Sequence, residues 1–314
     1  MLSLVIPDDS PAVMAASHAY RELSATHSVR YYDSLPGSED ALIDRILDFE
    51  VVINIRSSSK FTERVFASCR NLKLLSLWGT GTDNVDLAAA ARHGVTVTNT
   101  PGVAAVSIAE HSLMLTLAVA RKIIGLHNRT VAGEWAKGQS VQLCGKTLGI
   151  IGLGAIGRQF ARLGQGIGMK VVAWTMHPNP ALGFELVELT ELLRASDVVS
   201  VHLRQSPQTI GFLGREQLAM MKQGAILINT ARGPIVEETA LVEALQSGRL
   251  AGAGLDVFDQ EPLPKNHPLT HCETAVLTPH CAGVTPEVLE AGLALSIENV
   301  FSFLGGKARN VVTA

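Results

Sequence analysis

Short apolar runs alternate with amphipathic stretches along most of this chain. Leu2–Ile6, Val29–Tyr32, Val51–Ile55, Leu72–Trp78 and Val95–Thr98 have the length and the aliphatic or β-branched content of strands. Ala12–Leu23, Glu39–Leu47, Thr62–Ser68 and Val85–Arg92 fall between them with helical periodicity. Apolar runs without polar alternation suit strands covered on both faces. The rhythm therefore predicts a parallel sheet flanked by helices.

The rhythm breaks at Asn99-Thr100-Pro101-Gly102, where Thr100 is placed to cap a helix and Pro101 to open its first turn. An Ala/Leu-rich helix is expected from there to about Arg121. Alternation then resumes with strands predicted at Thr147–Ile151, Lys170–Trp174, Val198–His202, Ala225–Asn229, Gly254–Phe258 and Ala275–Thr278. Helices centred on Ala161, Leu192, Leu218 and Leu245 separate the first five. Gly168, Gly224 and Gly248 stand where helices should end. A last helix, Pro286–Phe303, mirrors the one at Pro101 and is placed to return the chain to its first unit. The expected fold is α/β, with two Rossmann-like, doubly wound parallel-sheet domains. Residues 1–98 and 286–314 would form a substrate domain, with 99–285 inserted in it as the dinucleotide-binding domain.

The second unit opens with "TLGIIGLGAIGRQFARLG", a strand, a glycine turn and a helix in succession. Gly152 permits the tight turn, Gly154 lets a pyrophosphate approach the backbone, and Gly157 lets the helix pack close to the strand. The first helical N–H groups then face phosphate. Between a strand and a helix this pattern points to a dinucleotide, NAD or NADP.

Composition narrows the class. With 314 residues there is room for two cores, and 47% hydrophobic against 18% charged residues suits an α/β enzyme. The net charge of −3, with no basic run, argues against nucleic acid or a membrane surface as partner. "MLSLVIPDDSP" lacks a basic n-region and reads as a strand, not a signal peptide. Cys69, Cys144, Cys272 and Cys281 form no C-x-x-C pair, which suits reduced thiols in a cytoplasm.

Three polar residues lie at or after predicted strand ends of the second unit, the edge where α/β sheets hold ligands. Arg232 in "ILINTARGPIVEE" has the geometry to grip a carboxylate at two points. His280 in "AVLTPHCAG" can move a proton near neutral pH, and Glu261 in "GLDVFDQEPLP" can fix its tautomer. Reduction of a 2-keto acid needs such a trio. Singly, each also reads as a surface charge, a turn residue before Pro262, or a structural histidine.

In order, "GLGAIG", "NTARGPIV", "GLDVFDQEP" and "LTPHCAG" resemble the D-isomer-specific 2-hydroxyacid dehydrogenase family. The likeness extends to "LWGTGTDNVD" and "NTPGVAAVSIAEHSLML", and so over nearly the whole chain. The resemblance implies that Arg232, Glu261 and His280 are catalytic. It implies a cofactor site of Gly152, Gly154, Ala155, Ile156, Gly157, Thr175, His202, Thr230, Ala231 and Asp256. Asp256 would lie near the nicotinamide carboxamide; by itself it reads equally as a strand-end turn residue. Gly79, Thr80 and Gly81 would offer backbone N–H groups to the substrate carboxylate. A homodimer through the nucleotide domain and its long helix is also implied.

The chain departs from the family pattern at several positions. NAD-preferring members carry an acid at the end of the second strand of the nucleotide domain, where this chain has Thr175. No Asp or Glu occurs between Arg158 and Phe184. His177 and Arg204 could meet a 2′-phosphate, giving relaxed or NADP-leaning choice; alternatively Thr175 bonds the ribose and Arg204 is solvated. Arg56 in "NIRSSSKF" is a candidate for an anionic substrate tail. With the chain ending soon after its last helix, no C-terminal regulatory domain is expected, and a short acid such as glyoxylate or hydroxypyruvate stands level with a phosphorylated one. His271-Cys272 and His280-Cys281 match no zinc spacing, so no metal is expected, and no G-x-S-x-G supports a serine hydrolase. Trp135 is expected to be a packing anchor. The rival class is a corepressor-like, nucleotide-sensing scaffold with little turnover.

Overall fold

The computed structural model describes residues 3–313, so Met1, Leu2 and Ala314 of the predicted segments lie outside the described residues. The chain starts with β1 (Leu4–Ile6), α1 (His18–Thr26), β2 (Val29–Tyr31), α2 (Glu39–Ile46), β3 (Val51–Asn54), α3 (Glu63–Ser68), β4 (Leu74–Leu77), α4 (Leu87–Arg92) and β5 (Thr96–Thr98). Next come α5 (Ala105–Arg121), α6 (Ile123–Val131), β6 (Thr147–Ile151), α7 (Ala155–Gly166), β7 (Lys170–Trp174) and β8 (Glu185–Leu186). Then follow α8 (Leu189–Ala195), β9 (Val198–Val201), α9 (Arg215–Met220), β10 (Ala225–Asn229), α10 (Glu238–Gln246), β11 (Leu250–Leu255), β12 (Ala275–Leu277) and α11 (Pro286–Leu304).

These elements form two compact units, one running to Ala104 and resuming at Val284, the other spanning Ala105–Gly283. In the first, five strands run parallel in the order β2-β1-β3-β4-β5. β1, β3 and β4 are wholly buried, as their unbroken apolar runs require. One face packs on Phe61, Val65 and Phe66, the other on Met14, Leu23 and, from α11, Leu293, Ile297 and Val300. The returning helix is thus part of the first core.

The second unit has seven parallel strands in the order β12-β11-β10-β9-β6-β7-β8. The order reverses between β6 and β9, the switch point where such sheets leave a crevice beyond the strand ends. α5 packs on β10, β11 and α7, and Leu115 and Val119 reach glycine positions of β11.

Several boundaries differ from the sequence-based expectation. The first helix begins at His18, not Ala12, because the Asp9 carboxylate takes the N–H groups of Val13 and Met14 and Ser17 caps the helix. Thr100 does not cap α5; its Oγ1 accepts the Gly79 N–H at 2.7 Å, and the helix starts at Ala105. The strand expected at Gly254–Phe258 is β11, four residues earlier. Its "LAGAGL" reads as turn-rich, yet Gly252 and Gly254 are small because Cβ atoms there would strike Thr274 and Leu115. α6 and β8 were not expected. Trp135 is no packing anchor, since it is 86% exposed.

Candidate active site

β10 is buried along its whole length and ends at Asn229. The Asn229 side chain accepts the Ala231 N–H and donates to the Arg232 carbonyl, both at 3.0 Å, which turns the chain out of the sheet. Arg232 Nη1 donates to the Ala231 carbonyl at 2.8 Å. At Gly233 a Cβ would lie 2.1 Å from the Phe258 carbonyl carbon, so glycine is what lets the loops after β10 and β11 touch. This contact brings Arg232 within electrostatic reach of Glu261.

Glu261 Oε1 accepts the Phe258 N–H at 3.1 Å, and Oε2 lies 2.7 Å from His280 Nδ1. Partial burial works against its charge. The His280 hydrogen bond and charge, the Phe258 N–H and the Arg232 charge outweigh that and hold the carboxyl below its ordinary value. The pair is open to solvent, with Glu261 and His280 side chains 36% and 43% exposed. His280 has φ +50°, a region that non-glycine residues seldom occupy.

The Asp256 carboxylate holds that loop. Oδ1 accepts the Thr278 hydroxyl at 2.6 Å and the Cys281 N–H at 3.0 Å, while Oδ2 accepts the Ala282 N–H at 2.9 Å. With its side chain 1% exposed, Asp256 ties together the Thr278–Ala282 segment in which His280 stands. On its other side stands His111 of α5, with Nε2 3.5 Å from Asp256 Oδ1 and 2.9 Å from Thr278 Oγ1. His111, Asp256 and Cys281 each offer a ligand atom, all within 4.8 Å of one another. No sequence spacing announced this cluster, because its members come from three distant segments. Burial, then the Asp256 charge and hydrogen bond, push the Cys281 thiol up.

At the switch point, Gly152 has φ +102°, and a Cβ there would meet the His202 carbonyl at 2.6 Å. A Cβ on Gly157 would lie 2.0 Å from the Gly152 carbonyl oxygen. Gly154 is the N-cap of α7 with no side-chain cap, and a Cβ on it would enter open space. The amides of Ala155, Ile156 and Gly157 open this helix, and their orphan N–H groups suit a pyrophosphate. His202 Nε2 bonds Ser200 Oγ at 2.9 Å, Nδ1 is buried without a partner, and burial pulls the ring down to about 3, so it stays neutral. Thr230 Oγ1 bonds Ser112 Oγ at 2.9 Å, and Ala231 is buried beside it. Thr175 follows β7, where Trp174 packs on Phe212 with ring centroids 5.0 Å apart. The residues present fit a dinucleotide.

Arg56 is turned inward: Nη2 lies 3.6 Å from Asp9 and donates to the Pro11 carbonyl. Among Gly79, Thr80 and Gly81, the Gly79 N–H is already engaged by Thr100. Thr80 is tied through its carbonyl to Asn99 Nδ2 at 2.8 Å.

Residues 113–282 match the sequence profile of the D-isomer specific 2-hydroxyacid dehydrogenase NAD binding domain. The chain is 37% identical over 282 residues to a D-3-phosphoglycerate dehydrogenase of Archaeoglobus fulgidus, covering 88% of this chain and 53% of that one. It thus spans about half the length of that relative. A glyoxylate reductase of Korarchaeum cryptofilum is 35% identical over 285 residues, 88% of this chain and 86% of its own. An acyclic imino acid reductase solved with NADPH and D-Arg superposes with a TM-score of 0.92 at 28% identity, over 98% of this chain and 99% of that one. A switch-point glycine turn, a histidine–glutamate pair and an arginine beside it thus coincide with sequence likeness along most of the chain, which belongs to the D-isomer-specific 2-hydroxyacid dehydrogenase family.

Proposed function

We propose that the protein is an NAD(P)-dependent D-2-hydroxyacid dehydrogenase that interconverts a small 2-keto acid and its D-2-hydroxy acid. The carrying observation is the 2.7 Å contact between His280 Nδ1 and Glu261, with Arg232 near enough to act on the same carboxylate. When bound, the nicotinamide supplies the hydride that adds to the carbonyl carbon. Glu261 holds the Nδ1 side of His280, so Nε2 is left to give its proton to the carbonyl oxygen. Arg232 pairs with the substrate carboxylate and orients the carbonyl. In the first unit, the Gly79–Gly81 loop is proposed to offer the N–H groups of Thr80 and Gly81 to a carboxylate, with the Gly79 N–H kept on the Thr100 hydroxyl.

The cofactor lies along Gly152, Gly154, Ala155, Ile156 and Gly157, with Thr175, His202, Thr230 and Ala231 at the adjoining strand ends. Without a carboxylate after β7, a 2′-phosphate meets no repulsion there, so both NADH and NADPH serve. The two kcat/KM values, measured again in Arg204→Ala, test this: a strong NADH preference unchanged by the substitution defeats it. The inward pairing of Arg56 favours a short acid, such as glyoxylate or hydroxypyruvate, over a phosphorylated one.

The four unpaired thiols suit a reducing compartment, and we place the protein in the cytoplasm. No helix among the described residues is long and apolar enough to cross a membrane. Exposed Ile123, Ile124, Val131 and Trp135 on and after α6 support a homodimer formed through this unit, and light scattering on dilution tests it. The deciding experiment is oxidation of NADH and NADPH with a panel of 2-keto acids and chiral analysis of the product. Binding of cofactor without turnover of any acid would restore the scaffold reading.

A further inference from the structure

We propose that His111, Asp256 and Cys281 form an inhibitory site for a zinc ion directly behind the loop that carries His280. The donors come from three separate elements of one unit. His111 stands on α5, Asp256 follows β11, and Cys281 follows β12. They present an imidazole nitrogen, a carboxylate oxygen and a thiol sulfur within 4.8 Å of one another. That mixed nitrogen, oxygen and sulfur set suits zinc and leaves hard ions such as magnesium without their oxygen ligands.

The geometry needs little adjustment. Zinc ligands at about 2.0–2.3 Å from the metal stand roughly 3.3–3.8 Å apart in a tetrahedron. His111 Nε2 and Asp256 Oδ1 are 3.5 Å apart. The Thr278 hydroxyl lies 2.9 Å from the first and 2.6 Å from the second, and so stands where the ion would bridge them. Rotation of Thr278 about χ1 removes the hydroxyl, and Cys281 supplies the third ligand as a thiolate, its proton leaving to solvent. Water completes the fourth position.

Such an ion would act on His280 through the backbone. Asp256 is what holds the Cys281 and Ala282 N–H groups, and His280 sits in the left-handed region immediately before them. Drawing the carboxylate and the thiolate onto a metal pulls that loop toward α5 and carries the imidazole away from its working position. The site is distinct from the solvent-open His280–Glu261 pair, which could also attract zinc, and the test separates the two.

Full-length protein is stripped with a chelator, exchanged into metal-free buffer and titrated with Co2+ and with Zn2+. One Co2+ per chain is expected to give a thiolate-to-cobalt charge-transfer band, lost in Cys281→Ala and in Cys281→Ser and displaced by Zn2+. This readout needs no substrate, so it stands apart from the assignment of the reaction. Zn2+ is expected to lower turnover of the wild type reversibly, with Mg2+ without effect. In Cys281→Ala and in His111→Gln the Zn2+ concentration for half-inhibition should rise about tenfold or more, each variant being compared with itself without metal. Absence of the band in the wild type, its persistence in both Cys281 variants, or undiminished Zn2+ sensitivity of those variants overturns the site.

Discussion

Asp8 and Asp9 in the first unit and Glu261 in the second all lie beyond the carboxyl ends of parallel strands, yet they are used in opposite ways. Asp8 and Asp9 are fully buried. Asp8 accepts the N–H groups of Ile55 and Arg56 and the Asn54 amide, and Asp9 takes those of Val13 and Met14, the Tyr31 hydroxyl and the Arg56 charge. Everything they attract belongs to the protein. Glu261 bonds one N–H and one side of an imidazole, and the carboxylate and the imidazole both remain partly open to solvent. A strand-end carboxylate whose bonds are saturated by its own chain organises loops. One that leaves its partner's second nitrogen uncommitted can serve chemistry.

The difference is largest in activity against stability. His280→Ala should lower kcat about a thousandfold, while the unfolding midpoint in urea and NADH binding stay near wild type. Steady-state kinetics and a urea titration measure both, and near-normal turnover would remove His280 from the reaction. Asp8→Ala should do the reverse. It removes the acceptor of three donors, two of them buried, and is expected to cost about 3 kcal/mol of stability, read from the same titration. Gly233→Ala should lie between them. Its Cβ forces the loops after β10 and β11 apart, with about 1–3 kcal/mol lost and kcat/KM lowered through Arg232.

The smallest effect is in pH dependence, and its sign differs between the two places. The Glu261 carboxyl is held below its ordinary value, so its pairing contributes stability above 4.5 that is lost as pH falls through the lowered value. At this exposure the contribution is under about 1 kcal/mol. The Asp8 carboxyl is pushed up, chiefly by burial, so protonation at falling pH relieves rather than costs. Urea unfolding between neutral and acid pH should therefore show a shallower acid loss in Glu261→Gln and a steeper one in Asp8→Asn. Identical acid limbs in all three proteins would contradict both assignments.

Much of this architecture is written locally. Apolar runs such as Val51–Asn54 and Ala225–Asn229, and the glycines at 152, 154 and 157, announce their roles because short-range sterics and burial decide them. Element ends were less legible. Thr100 has the chemistry of a helix cap, but an amide twenty-one residues away claimed its hydroxyl. The strand expected at Gly254–Phe258 begins at Leu250, and its glycines are explained only by Leu115 and Thr274 pressing on its faces. Arg56 carries the charge for an anionic ligand, and only folding reveals that Asp9 takes it.

Residue order alone determined the alternating α/β pattern and the strand–glycine turn–helix succession, and it singled out Arg232, Glu261 and His280 as candidates. Those depend on side-chain type and on neighbours a few positions away. Tertiary structure alone decided which carboxylates are saturated and which stay open, and it alone set His111, Asp256 and Cys281 side by side. Such meetings join separate segments, His111 more than a hundred residues from the other two, and packing fixes them where local periodicity does not.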